Sequence, residues 1–314
     1  ITFLQLGETS MTNRRDFLRL GALGAAGAAL SGAAPAAAQA VKHQFKLKYA
    51  PHTSLFSNIP DEIDRLNEYA AHGFTAFENN GMLSWPQARV EALKKRMDEL
   101  KMEMGVFVAN PSGWRTAGMV DPAQRPAFLA EVKKSVPYHK IVGNSICTVI
   151  TGPEIPGQYR GHQRVNVIES LKRAADVVSV VPSLTLVVEP LNPWVDHAGY
   201  FLNRSEEAYE IMKAVGSPQV KILFDIYHQQ ITEGNLINNI RACYDEIGSF
   251  QLGDAPGRHE PYTGEINYRN VFKAIHQLGF KGIVGMEFSP SVKADPEGSF
   301  KVVAAMAEAD KFEV

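Results

Sequence analysis

LTLVVEPLNPWVDHAGYFLNRSEEAYEIMKAVGSPQVKILFDIYH, residues 184–228, holds the pattern on which the fold turns. An apolar run, LTLVVEP (184–190), gives way to a loop. Next comes SEEAYEIMKAV (205–215), with apolar residues three and four apart, and then a second apolar run, VKILFDI (220–226). Short β-branched runs read as buried strands and the three-four spacing as an amphipathic helix, so the stretch is one strand-helix-strand unit of a parallel sheet. Ser205 stands where a helix cap is expected. Both apolar runs finish on an acid, Glu189 and Asp225.

The same alternation extends in both directions. FKLKYA, FTAFE, MEMGVFV, SICTVI, SFQLG and GIVGMEF complete a set of eight strand candidates. Helical patterns such as DEIDRLNEYAAH, PQARVEALKKRMDELK, VNVIESLKRAADVVS, NLINNIRACYDEI and YRNVFKAIHQLG lie between them, the last closing at Gly279. Eight strand-helix units in this length predict an α/β fold, a single-domain (β/α)8 TIM barrel over residues 41–314. A doubly wound nucleotide-binding sheet is disfavoured, because no G-x-G-x-x-G follows the first strand and no phosphate-binding P-loop motif occurs. With 45% hydrophobic and 21% charged residues and a net charge of −2, the chain has ample core material and no basic excess for nucleic acid.

Residues 1–40 are read separately, as an N-terminal extension and export signal. Arg14 and Arg15, the following Phe17-Leu18, a run of Ala and Gly, and Ala38-Gln39-Ala40 resemble a twin-arginine signal peptide with its cleavage site, and the residues before Met11 read as lying ahead of the natural start. The implied destination is the periplasm or another exported compartment. The run is too short and too weakly apolar for a stable span in the mature form. Cys147 and Cys243 are expected as two separate packed thiols.

Four strand candidates end on an oxygen-bearing side chain: Glu189, Asp225, Gln251 and Glu287. In a parallel barrel these ends converge on one mouth. Three carboxylates and an amide there would repel one another unless a cation sat between them, and an oxygen-only donor set suits a hard divalent ion, Mg²⁺ or Mn²⁺. His52 and Glu78 follow the first two strand candidates and fall at the same mouth; Trp114 is a candidate wall.

The segments VVEPLN, FDIYH, FQLGDAPGRHEPYTGEINY and GMEFSPS resemble the hydroxypyruvate isomerase family, within the xylose isomerase-like barrels that include ketose 3-epimerases. The likeness runs from about Tyr49 to about Pro290. It implies that Glu189, Asp225, Gln251 and Glu287 bind a divalent metal and that Glu189 and Glu287 are the acid-base pair. By the same likeness His228, Arg258 and His259 contact substrate, with the loop carrying Arg258 and His259 able to close over it. Glu260 and Glu265 are taken as structural partners of that loop.

The resemblance implies metal-assisted isomerisation or epimerisation of a small hydroxy-carbonyl or keto-sugar substrate through a cis-enediolate. One departure bears on the substrate. After EPLN the chain reads PWVDHAGYFLN, with Trp194, Asp196 and His197 where relatives carry a Thr-Arg-Asp type run, so a bulkier, less cationic pocket and a neutral substrate are expected. A lyase using the same enediolate, an abasic-site endonuclease and a non-catalytic binding protein are the alternatives. The nuclease would need clustered histidines and a basic groove, which the sequence does not offer. Self-association is left open.

Overall fold

The computed structural model describes residues 41–314; the segment read above as an export signal lies outside the described residues. Eight parallel strands follow in chain order: β1 (Lys48–Pro51), β2 (Ala76–Phe77), β3 (Glu103–Met104), β4 (Ile146–Val149), β5 (Thr185–Val188), β6 (Val220–Asp225), β7 (Ile247–Gln251) and β8 (Ile283–Met286). Six form a sheet in the order β1-β8-β7-β6-β5-β4, and β2 pairs with β3. Hydrogen bonds from Glu78 N to Pro51 O (3.2 Å) and from Thr148 N to Phe107 O (3.0 Å) join the two pieces into a ring. The predicted barrel and all eight strand candidates are therefore present.

The helices are α1 (Glu62–Ala71), α2 (Gln87–Leu100), α3 (Arg125–Val142), α4 (Arg160–Val178), α5 (Ser205–Val215), α6 (Ile226–Thr232), α7 (Leu236–Cys243), α8 (Tyr268–Gln277) and α9 (Pro296–Ala309). α8 shows why they coat the ring: Val271, Phe272, Ala274 and Ile275 are buried on one face, at the spacing that a helix turns inward. Ser205 differs from expectation. It is the first residue of α5, the cap position belongs to Arg204, and the Arg204 side chain makes no capping hydrogen bond. Instead the N–H and hydroxyl of Ser205 both donate to Glu233, a carboxylate suited to the positive end of a helix. Cys147 and Cys243 are both free and buried, as expected.

A second, smaller core lies inside the ring, formed by Ala50, Ala76, Val106, Ile146, Val187, Leu223 and Ile283. Side chains alternate across a strand, so residues two positions further on share the inward face. That rule carries Ala50 to His52, Ala76 to Glu78, Val187 to Glu189, Leu223 to Asp225, and Ile283 through Gly285 to Glu287. An apolar plug thus floors the barrel, and the next inward layer is polar.

Candidate active site

Neighbouring strands hold this layer in register. Asp225 pairs with Gln251, and Gln251 with Gly285. Glu189, Asp225, Gln251 and His228 are all buried. One ligand atom each from Glu189, Asp225 and His228 lie within 4.8 Å of one another.

Asp225 divides its oxygens between two tasks. Oδ1 caps α6, accepting from the N–H groups of Tyr227 (2.8 Å) and His228 (3.3 Å), which leaves Oδ2 for the site. Glu287 is divided likewise: Oε1 accepts from Asn80 Nδ2 at 2.7 Å and Oε2 from Arg258 Nη2 at 3.0 Å. The same Arg258 nitrogen donates to Asp225 Oδ2 at 3.0 Å, so one guanidinium bridges two carboxylates. Its backbone has φ +54°, a left-handed value that costs a side-chain-bearing residue about 1–2 kcal/mol. The turn is held by Arg258 N–H donating to Asp254 O (2.8 Å) and Ser289 N–H donating to Arg258 O (3.2 Å).

His228 has a defined tautomer. Asn192 Oδ1 accepts from the N–H groups of Val195 (3.0 Å) and Asp196 (3.2 Å), which fixes the amide so that its Nδ2 faces His228 Nδ1 at 2.7 Å. The backbone N–H of Asn192 also points at Nδ1, at 3.3 Å. Nδ1 is therefore an acceptor, and the proton sits on Nε2, 3.6 Å from Asp225 Oδ2 and 3.9 Å from Glu189 Oε1. Burial, then Arg258, push the His228 pKa well below its ordinary value, so the ring is neutral. A protonated Nε2 cannot ligate a metal. It can donate to a substrate oxygen.

Burial raises the pKa of Glu189, reinforced by repulsion from Glu287 and Asp225; burial also raises Asp225 and Glu287 against the pull of Arg258. Glu78 is raised well above the usual range by burial and by Glu287. Three buried carboxylates, Glu78, Glu189 and Asp225, and the half-buried Glu287 lie near the Arg258 guanidinium, and Gln251 Oε1 is buried without a hydrogen-bond partner among the described residues. A divalent cation fits this set: it would compensate the uncancelled negative charge and give the orphaned amide oxygen a partner.

The remaining sequence candidates fall in different places. His259 is engaged with the chain after β8, its Nδ1–H donating to Ser289 O at 2.7 Å. Glu260 accepts from Ser291 N–H (2.9 Å) and hydroxyl (2.5 Å), and Glu265 accepts from Gln230 Nε2 (3.0 Å); both tie the loop, as expected. His52 follows β1 with its pKa pushed down to about 4 by burial and by Arg258. Trp194 corrects the expected pocket wall. It is 71% exposed, in a groove with Arg160, Arg204 and Thr232. The bulk comes from His197, stacked on Trp114 (5.3 Å, 21°) and 5.3 Å from His228. Asp196 is likewise a support: burial opposes its charge, but hydrogen bonds from Asn192 and Tyr227 outweigh this and lower its pKa.

Three residues escaped the sequence reading: Asn80, Asn192 and Tyr227. Asn80 had a usable signal, since it lies two positions after Glu78 on the inward alternation. Asn192 and Tyr227 act through contacts between the turn after β5 and α6, for which no local pattern exists.

A family model described as a xylose isomerase-like TIM barrel matches residues 66–308. A 2-oxo-tetronate isomerase of Cupriavidus necator is 31% identical over 246 residues, covering 77% of this chain and 93% of that protein. A hydroxypyruvate isomerase of Escherichia coli is 28% identical, covering 79% of this chain and 96% of its own. The D-psicose 3-epimerase of Clostridium cellulolyticum has a TM-score of 0.70 over 84% of this chain and 98% of its own; at 18% identity that likeness shows the fold alone.

Proposed function

The chain belongs to the xylose isomerase-like TIM-barrel family, and on that premise we propose that it is a divalent-metal-dependent isomerase or epimerase of a small hydroxy-carbonyl compound. The observation that carries this reading is the convergence of Glu189, Asp225 and Glu287 beside Gln251, with one guanidinium shared between two of the acids. Glu189, Asp225, Gln251 and Glu287 would hold the ion, Mg²⁺ or Mn²⁺. When bound, it supplies polarisation of the substrate carbonyl and acidifies the neighbouring C–H.

The residues do the rest. One of Glu189 and Glu287 removes the proton from the carbon beside the carbonyl, leaving a cis-enediolate, and a carboxylic acid returns a proton. Return to the former carbonyl carbon isomerises; return to the original carbon from the opposite face epimerises. Raised carboxyl pKa values suit this work, because a group that both takes and gives a proton acts best near the working pH. Asn80 donates a hydrogen bond to Glu287, and the Nε2–H of His228, beside Glu189, would donate to an enediolate oxygen.

For the substrate, a neutral keto-sugar is favoured over an anionic oxo-acid. Arg258 is already committed to two carboxylates, Asp196 adds negative charge nearby, and the row Trp114, His197, His228 offers ring faces rather than cations. The named activities of the relatives, on 2-oxo-tetronate and hydroxypyruvate, make the oxo-acids the comparison set. The test is deuterium wash-in from heavy water into keto-sugars and oxo-acids, with and without Mn²⁺. Exchange should need Mn²⁺ and fall by about 10²–10⁴-fold in Glu287→Gln, the usual worth of a general acid-base group. Undiminished exchange in that variant would end the assignment.

A further inference from the structure

Directly after β2 stands Glu78, a carboxyl group 1% exposed that the proton-transfer chemistry leaves without a task. The fold has made room for it. A Cβ at Gly285 would lie 2.3 and 2.4 Å from its two carboxylate oxygens, and one at Gly105 would lie 3.1 Å from its Cβ. No side chain fits at Gly285 unless that carboxylate moves, so the absence of a side chain at position 285 of β8 and the presence of Glu78 directly after β2 are one arrangement.

Among the described residues its one side-chain hydrogen-bond partner is Gln251, whose Nε2 donates to Glu78 Oε1 at 3.0 Å. The two residues are 173 positions apart and are brought together by closure of the ring. An amide has a donor end and an acceptor end. Once Nε2 is committed to Glu78, Oε1 is turned away from it, and that oxygen is the buried, unpartnered one. The reverse orientation would present an NH₂ group to the ion, which cannot ligate.

We infer that Glu78 is a positioning residue that locks the Gln251 amide with its carbonyl oxygen toward the carboxylates, as the Glu78–Gln251 hydrogen bond and the side-chain-free space at Gly285 indicate. The inference rests on the proposed metal site and assigns Glu78 a place behind it. Partners that orient ligands in this way are worth about 10–100-fold in metal affinity.

The experiment measures Mn²⁺ affinity directly, from the paramagnetic resonance signal of free Mn²⁺, in the wild-type chain, Glu78→Met and Glu78→Gln. Methionine fills the space without accepting a hydrogen bond; glutamine keeps an acceptor oxygen for Gln251. Positioning predicts affinity about tenfold or more weaker in Glu78→Met and restored to within about threefold in Glu78→Gln. Equal loss in both variants would mean that only the charge of Glu78 matters, and no loss in either that it merely packs; each result overturns the inference. Should Glu78→Met not fold, Gly285→Ala displaces the carboxylate without deleting a hydrogen-bonding atom and must weaken Mn²⁺ binding too; unchanged affinity there refutes the inference. A wild-type chain that binds no Mn²⁺ removes the metal reading as well, whereas normal wild-type binding with insensitive variants removes this inference alone.

Discussion

Replacing Arg258 with methionine isolates the electrostatics of the site. The guanidinium donates at 3.0 Å to both Asp225 and Glu287, so Arg258→Met keeps much of the stem and strips the compensating charge from one buried acid and one half-buried one. Removing one partner of a fully buried ion pair costs about 3–5 kcal/mol. The Arg258 side chain is 26% exposed, and partial hydration lowers that to roughly 2–4 kcal/mol for the metal-free protein at pH 8. In a domain of this length each kcal/mol moves Tm by about 2–4 °C, so a drop of about 4–16 °C is expected. The pH dependence has a definite sign. Glu189, Asp225 and Glu287 have raised pKa values in the folded protein, so their protonation stabilises the fold, fully below about pH 4, and this contribution is lost as pH rises through the raised values. Arg258 offsets that loss, which makes its removal costliest at pH 8 and much milder at pH 5. Saturating Mn²⁺ should also shrink the difference, since the ion supplies the charge that the variant lacks. Scanning calorimetry at both pH values, with chelator and with Mn²⁺, reads all four conditions. A drop of equal size in all of them would show that Arg258 acts through packing over the Tyr227 ring, 4.9 Å away, and refute the charge argument.

Three further outcomes are expected. In Asn80→Ala, Glu287 loses the hydrogen bond that lowers its pKa, so the acidic limb of the pH–rate profile should move to higher pH; an unmoved limb would separate Glu287 from the rate-determining proton transfer. Trp114→Ala removes the outer ring of the aromatic row, and KM for a keto-sugar should rise by roughly 3–10-fold, the worth of an aromatic contact of about 0.5–1.5 kcal/mol, with kcat little changed; an unaltered KM would take Trp114 out of the binding surface. Replacing both Arg14 and Arg15 with lysine should leave the protein inside the cell when fractions are compared, and unimpaired export would discard the twin-arginine reading.

How much of this could be read from the sequence depended on how local each signal was. Glu189, Asp225 and Glu287 each close a short apolar run, and Gln251 sits inside the short run SFQLG, so both the strand and the end that faces the mouth were visible. α3 was harder: Pro137 lies inside it, and its apolar residues barely separate from the polar ones. α6 was hidden because it begins at Ile226, directly after β6, with Asp225 serving as both strand end and helix cap. The roles of the polar residues were less visible still. Asn192 specifies the His228 tautomer only because the turn after β5 folds over the start of α6, a contact between residues 36 positions apart.

Glu78 shows the general obstacle. In sequence it is one more acid after a two-residue strand, and nothing near it tells a buried carboxylate from a solvated one. Only the closed ring, with Gly285 opposite, brings it against Gln251. Yet the inward layer has a rule simple enough to apply in advance. Once Ala76, Val187, Leu223 and Ile283 are recognised as the floor of the barrel, residues two and four positions further along each strand are the ones that can reach its axis. That step reaches Glu78 and Asn80 as directly as it reaches Glu189 and Asp225. It also explains why a glycine sits at 285 and an acid at 287: the first leaves space for Glu78, and the second, one inward position higher, meets Asn80 and Arg258.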